Sequence, residues 1–389
     1  MTLPPHLARI VEAEYPRFSD AEMKRRRAAI DALVAQADCD HLVFCGANRF
    51  GSVVQWLTQW PVTAEAVGVL TPGKRDALFV QYVNHAPQAQ ILADKADVAW
   101  GRESSIAEAI GVLERRGARQ DRVATIGPIS AEQHAALSTK FGKLKSLNRD
   151  YIRLRQEKSG EELDWLRIGA HFSDLGMVAL RDGLKPGMNE RELGDLVERA
   201  YISQGATNVI HYIGVTGMDA PDLGVPRQFP RVRRVQAGDV VVAEISAAFW
   251  EHPGQVLRSF SLGTPSKLYR ELHAAADAAF DAIAAVLKAG ATPSQVIEAS
   301  GVIEEAGFTI IDDLLHGYGG GYLPPILGCK SRPAGPVPPE PFRAGQTVVI
   351  QPNVVTRDVK AGVQTGEMVL ITDTGIERVH SLARGFQII

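Results

Sequence analysis

A glutamate inside an apolar strand is the first residue in this chain whose setting calls for chemistry. Glu244 lies in the stretch Gly238–Ser246, whose alternation sets Val240, Val242, Glu244 and Ser246 on one face. An ionised carboxylate among such neighbours is costly unless something compensates it. Burial raises a carboxyl pKa, which suits a general acid or base. His316 stands before Gly317 and beside the run Gly319–Gly321. Glycines let backbone approach a ligand closely, so this imidazole is expected to shuttle a proton or to bond a substrate. The plainer alternatives are a Glu244 paired with Arg258 or His316, and a His316 packed in a core. Tyr318 and Tyr322 flank the same glycines, and a pocket wall and ordinary packing are both open for them. Cys329 lies in a Gly/Pro loop with no activating base in view, and reads as a structural thiol.

The elements that must carry these residues can be read from periodicity and punctuation. Between Ser19 and Leu147 helical and strand patterns alternate. Asp20 is expected to cap a helix reaching Ala37, and strands are expected at His41–Cys45, Ala64–Leu70, Ala77–Val83 and Val123–Ile126. Ile106–Arg115 reads as a helix. This describes an α/β domain over residues 1–150. A basic, polar stretch, Asn148–Glu157, follows. Ser159 with Glu162 has capping-box spacing and opens a long helix running to Leu184, where Lys185, Pro186 and Gly187 stop it. Asn189 caps the next helix. Strands are expected at Val209–Val215, Asp239–Phe249 and Gln255–Leu262, then a helix over Ser266–Ala289 and another from Thr292 to Glu305. Thr347–Val355 and Val363–Thr372 close the chain as strands, so 151–389 forms a second domain of α+β type.

Composition excludes several classes. The chain has 389 residues and a formal net charge of -3, which gives no field to attract nucleic acid or an anionic membrane. No run of about 18 apolar residues suggests a transmembrane span, and the N-terminus lacks the apolar core of a signal peptide. Three cysteines, Cys39, Cys45 and Cys329, are too few and odd for a disulfide framework and suit a reducing cytosol. A cytoplasmic protein acting on a small molecule is the expectation.

The second half resembles the pita-bread family, which includes methionine aminopeptidase, aminopeptidase P, prolidase and the metal-free creatinase. Seven stretches in the right order carry the likeness: Arg153–Glu162, Leu184–Glu190, Gly238–Ser246, Arg258–Gly263, His316–Gly319, Ile350–Pro352 and Gly366–Thr372. The N-terminal α/β domain suits the creatinase and prolidase branch. The resemblance implies a homodimer whose N-terminal domain lies near the partner's active site. On that arrangement Trp56 and Trp60 would line the partner's pocket, though burial in their own domain is expected.

The resemblance also implies where a dinuclear metal site would stand. The family's Asp, Asp, His, Glu and Glu ligands fall on Glu244, Gln255, His316, Gln351 and Gly366. Only Glu244 is anionic among the five, whereas two divalent cations need several negative charges. Amide oxygens hold transition metals poorly, and glycine offers no side chain. No metal and no other cofactor is therefore expected. The creatinase set is missing too, since both late glutamates are replaced and no histidine follows Gly217 in Met218–Pro226.

The expected site uses Glu244 and His316 as the acid/base pair of a metal-independent hydrolase cleaving a C–N bond. Gln255 and Gln351 keep the shape and hydrogen bonding of carboxylates without their charge and are expected to orient substrate. Arg258 is expected to hold an acidic group, with His211, Tyr318 and Glu367 completing the substrate-binding set. His252 and Glu251 are expected at a solvent-exposed hairpin. A lyase using the same pair, a non-catalytic binding or scaffold protein, and an unusual Xaa-Pro-type metallopeptidase are the alternatives.

Overall fold

The computed structural model describes residues 2–47 and 52–389. The chain divides into two compact units, Glu12–Arg155 and a second made of Met1–Val11 with Gln156–Ile389. Residues Met1–Val11 group with the C-terminal unit, because helix Pro5–Val11 buries Leu7 and packs on helix Gly160–Gly183.

The N-terminal unit is built on six strands: β1 (His41–Ala47), β2 (Glu65–Leu70), β3 (Asp76–Val80), β4 (Ala96–Trp100), β5 (Val123–Ile126) and β6 (Lys145–Ser146). Their order is β4-β3-β2-β1-β5-β6, with parallel and antiparallel pairs mixed. Helix Ser105–Arg115 lays Ile106, Ala109, Val112 and Leu113 against Val43, Val67 and Val69. Helix Asp20–Gln36 is capped by Ser19, not by Asp20: the Ser19 hydroxyl accepts from the Glu22 N–H. Trp56 and Trp60 are buried. Sequence periodicity had left β4 and the helices Ala86–Leu92 and Ala131–Phe141 unassigned. Within the basic, polar stretch Asn148–Glu157, residues Asn148–Gln156 are helical and bury one residue, Tyr151.

The C-terminal unit is organised by one curved sheet. Its strands are β7 (Ala206–Gly217), β8 (Asp239–Phe249), β9 (His252–Ser261), β11 (Leu315–Tyr318), β12 (Tyr322–Leu327), β13 (Thr347–Ile350), β15 (Gly366–Ile371), β16 (Ile376–Arg378) and β17 (Gln387–Ile388). The short pair β10 (Thr309–Ile310) and β14 (Val354–Val355) lies outside it. The order is β12-β11-β13-β15-β9-β8-β7, with β16 on β15 and β17 on β9. The expected capping box of Ser159 with Glu162 forms, and Asn189 caps its helix as expected, with Glu192 completing a capping box there too. The helix expected from Thr292 to Glu305 is instead two, Pro293–Ala299 and Val302–Glu305, separated at Ser300 and Gly301.

Helix Gly160–Gly183 lies close over β8 and β9. A Cβ on Gly254 would meet the Ala170 Cα at 2.3 Å, so only glycine permits that approach. The Ser173 hydroxyl seals the contact by donating to the Gly254 carbonyl at 2.7 Å and accepting from the Ala247 N–H at 2.8 Å.

Candidate active site

Strand register decides which side chains meet. Residues directly opposite in an antiparallel pair share a face, and so do i and i+2. Tyr212 pairs with Glu244, and Glu244 with Leu257. Leu257 pairs with Gly366, Met368 with Val349, and Val349 with His316. One face of five strands thus carries Tyr212, Glu244, Gln255, Gly366 and His316.

Glu244 is buried, with 6% exposure. It pairs with neither Arg258 nor His316. One carboxylate oxygen accepts from the Gln255 amide at 2.6 Å and the other from the Gln364 amide at 3.1 Å. Burial pushes the carboxyl pKa up to about 7, and the negative charge of Asp312 adds to this, while the two amides pull the other way. The Gln255 amide also donates to Gln351 Oε1 at 3.3 Å, and His316 Nε2 lies 3.3 Å from that oxygen. Glu244, Gln255, Gln351 and His316 therefore form one hydrogen-bonded chain. His316 is fully buried, and burial lowers its pKa to about 4, so it is neutral at physiological pH. Its Nδ1 lies 3.0 Å from the Gly317 carbonyl. Tyr322 stacks on the imidazole at 3.8 Å with planes 17° apart, and Tyr318 meets it edge-on at 5.5 Å. The Tyr318 hydroxyl donates to Ser246 at 3.1 Å.

Four of the expected site residues converge here with Tyr318: Glu244, Gln255, His316 and Gln351. Three others do not. Arg258 pairs with Ala243 on the opposite face. It is fully buried there, donating to Glu367 at 2.7 Å and to the carbonyls of Leu257, Gly366, Leu382 and Ala383. Every guanidinium nitrogen is committed, so none is left for a substrate carboxylate. Glu367 shares that face and also binds Arg378. His211 pairs with Ile245, likewise opposite, and its ring bonds the Tyr201 hydroxyl at 2.6 Å beside Glu198. Its neighbour Tyr212 holds the face expected for it. Glu251 is buried and His252 half-buried, against the expected exposure, because Trp165 packs edge-on against the His252 ring. Gln364 was missed from the sequence. The available signal was spacing: it stands two residues before Gly366, hence on the same face.

The metal positions can be tested on this geometry. An N–H of Gln255 occupies the gap between Glu244 and Gln351, where an ion would need oxygen donors. At Gly366 even a Cβ would meet the Ile350 carbonyl oxygen at 2.4 Å and the Gln351 Cα at 2.9 Å, so a carboxylate side chain has no room. Among the described residues no group of three His, Cys, Asp or Glu is arranged to hold a metal. These residues do not fit a dinuclear metal site.

Fold and register together define a two-domain pita-bread protein of the creatinase-like branch. The sequence pattern of metallopeptidase family M24 matches residues 164–373, more than half of the chain, and the chain belongs to that family. It is similar to the Xaa-Pro dipeptidase of Pyrococcus furiosus, 24% identical over 249 residues, which span 63% of this chain and 68% of that one. It is also similar to the probable dipeptidase PepE of Mycobacterium tuberculosis, 29% identical over 178 residues, 44% of this chain and 46% of that one. Among solved structures, the Xaa-Pro dipeptidase from Bacillus anthracis superposes with a TM-score of 0.80 at 16% identity, covering 94% of this chain and 100% of that one. An X-Pro aminopeptidase from Thermotoga maritima gives 0.80 at 18% identity, covering 93% and 99%. No helix of the described residues is long and apolar enough to cross a membrane.

Proposed function

We propose that this protein hydrolyses a C–N bond in a small, peptide-like molecule without a metal ion. The relatives named as dipeptidases support the bond class. The observation that carries the reading is a single buried carboxyl, Glu244, with a pKa near 7 and two amides bonded to its oxygens. Above that pKa Glu244 is a carboxylate that can take a proton from water as the water oxygen attacks the carbonyl carbon. The proton must then reach the departing nitrogen, which leaves as an amine. Protonated Glu244 can return it to that nitrogen, and His316, neutral and on the same face, is the second group able to carry a proton there. Tyr318 and Tyr212 wall the same face. The three free, buried cysteines support a reducing, cytoplasmic setting, and likeness to creatinase-like enzymes supports a homodimer.

The test is metal analysis of purified protein with assay of an Xaa-Pro dipeptide panel before and after chelation. Activity unchanged by chelation, with metal far below one equivalent, is the expected result. Near-stoichiometric Mn, Co, Zn or Fe, with activity lost on chelation, would establish the metallopeptidase alternative.

A further inference from the structure

Asn353 is fully buried, and neither its amide oxygen nor its amide nitrogen has a hydrogen-bond partner. It stands at the start of a hairpin whose register places it. Val355 lies opposite Gly362, and the Val363 N–H donates to the Val354 carbonyl at 3.0 Å. Asn353 is therefore opposite Gln364. A Cβ on Gly362 would meet the Val355 Cγ1 at 2.7 Å, so that pair shares a face. Asn353 and Gln364, each two residues along, share it too. Directly opposite residues have Cβ atoms about 5 Å apart. Gln364 turns its NH2 group to Glu244 at 3.1 Å, and its Oε1 is buried and unbonded. A donor and an acceptor thus face each other across the hairpin, and neither satisfies the other. A buried amide atom left unpaired costs roughly 1–3 kcal/mol. Three such atoms, Asn353 Oδ1, Asn353 Nδ2 and Gln364 Oε1, together describe the lining of a binding site.

We infer that Asn353 and Gln364 recognise an uncharged primary carboxamide on the substrate, through a paired contact along its C=O/N–H edge. The ligand must accept from Asn353 Nδ2 and donate to Asn353 Oδ1 side by side, and it must donate again to Gln364 Oε1. A primary carboxamide does all three: its carbonyl accepts, the N–H beside that carbonyl donates, and its second N–H is left for Gln364. Turning the Asn353 amide over exchanges donor and acceptor and leaves the same kind of edge, whereas Gln364 is held in its orientation by Glu244. An ammonium or guanidinium group has no acceptor, and a carboxylate has no donor. A trans secondary amide carries its C=O and N–H on opposite sides. A lactam keeps the edge but has no second N–H. The Asn353 oxygen and nitrogen sit on one carbon, too close together for a single water to bond both with good angles. The binding stands on these two residues; calling the carboxamide part of a substrate rests on the hydrolase reading.

The full-length protein is titrated with propionamide while side-chain NH2 signals are followed by NMR, the Asn353 signal being the one lost in Asn353→Leu. A saturable shift is expected with propionamide. Binding should be roughly tenfold weaker with γ-butyrolactam, which lacks one N–H, and absent with N-methylpropionamide, propionate and propylammonium. Asn353→Leu should remove propionamide binding and hold or raise the urea midpoint, because a buried amide with no partner gives way to an apolar group of similar size. Asn353→Asp, which exchanges the donor for an acceptor, takes its place if that variant does not fold. In Gln364→Met the affinity for propionamide should fall to that for γ-butyrolactam. No saturable shift (ordered water as the occupant), equal response to N-methylpropionamide or propylammonium, or unchanged affinity in Asn353→Leu overturns the inference. Hydrolysis of Xaa-Pro dipeptides with no carboxamide binding overturns it and leaves the hydrolase reading standing. Propionamide binding with no hydrolysis of any amide keeps it and counts against the hydrolase.

Discussion

Glu244 and Arg258 stand one register step apart on neighbouring strands, yet they face opposite sides of the sheet. Glu244 is opposite Leu257, while Arg258 is opposite Ala243. Arg258 instead ties β9 to Glu367 on β15 and to the carbonyls of Leu382 and Ala383. Two charges near one another in the fold therefore do different work, Glu244 at the candidate site and Arg258 behind it.

Arg258→Met should separate these roles. Removing one partner of a buried ion pair costs about 3–5 kcal/mol, so the urea midpoint should fall markedly. Catalytic rate per folded molecule should change by less than about threefold, since no substrate contact is lost. A large drop in rate with stability intact would return Arg258 to the substrate.

The acid/base pair makes a pH prediction of definite sign. The folded carboxyl of Glu244 titrates at about 7 against 4.5 for a free one, so from pH 4.5 to 7 the folded state holds the extra proton and stability falls as pH rises. His316 titrates at about 4 against 6.5, so from pH 4 to 6.5 the unfolded state holds the extra proton and stability rises with pH. The two slopes cancel between pH 4.5 and 6.5. Each amounts to about 3 kcal/mol across its window. Relative to the wild type, Glu244→Gln should gain stability as pH climbs from 4.5 to 7, and His316→Gln should lose it from 4 to 6.5. Chemical denaturation at several pH values reads both, and parallel curves for all three proteins would refute the assignment.

Much of this site was legible because strand alternation and helix caps are local. Glu244 on an apolar strand, His316 before its glycines, the capping box at Ser159 and the cap at Asn189 all follow from neighbours within a few residues. What failed was long-range. The destination of Arg258 depends on Glu367 and on a carbonyl-rich turn 124 residues away, and nothing near Arg258 announces it. His211 and Tyr212 differ by one position, and without the register against β8 the choice between faces was open. Gln364 is a polar residue between Val363 and Thr365 with no local signal beyond its spacing from Gly366.

Gly366 yields a steric prediction. Its missing side chain is enforced by the Ile350 carbonyl oxygen, 2.4 Å from where a Cβ would lie. Gly366→Ala should destabilise the protein by about 1–3 kcal/mol. The chain Gln255→Asp, Gln351→Glu should still fail to take up two equivalents of Mn2+ by calorimetry, because the fifth ligand cannot be built. Two tightly bound equivalents would show that the backbone yields.

Tyr322 offers a test of how His316 is kept neutral. The phenol ring stacks on the imidazole at 3.8 Å, is itself 47% exposed, and donates its hydroxyl to Asp313. It thus stands between His316 and water. Burial is the largest cause of the lowered pKa of His316, so admitting water should raise it. Tyr322→Ala should move the His316 titration upward from about 4 toward 6.5, followed by NMR of the ring Cε1 proton. Tyr322→Phe keeps the ring and loses only the hydroxyl, so it should leave the titration near its wild-type position. Equal shifts in the two variants would mean that Asp313, freed from the hydroxyl, rather than solvent exclusion by the ring, governs the histidine.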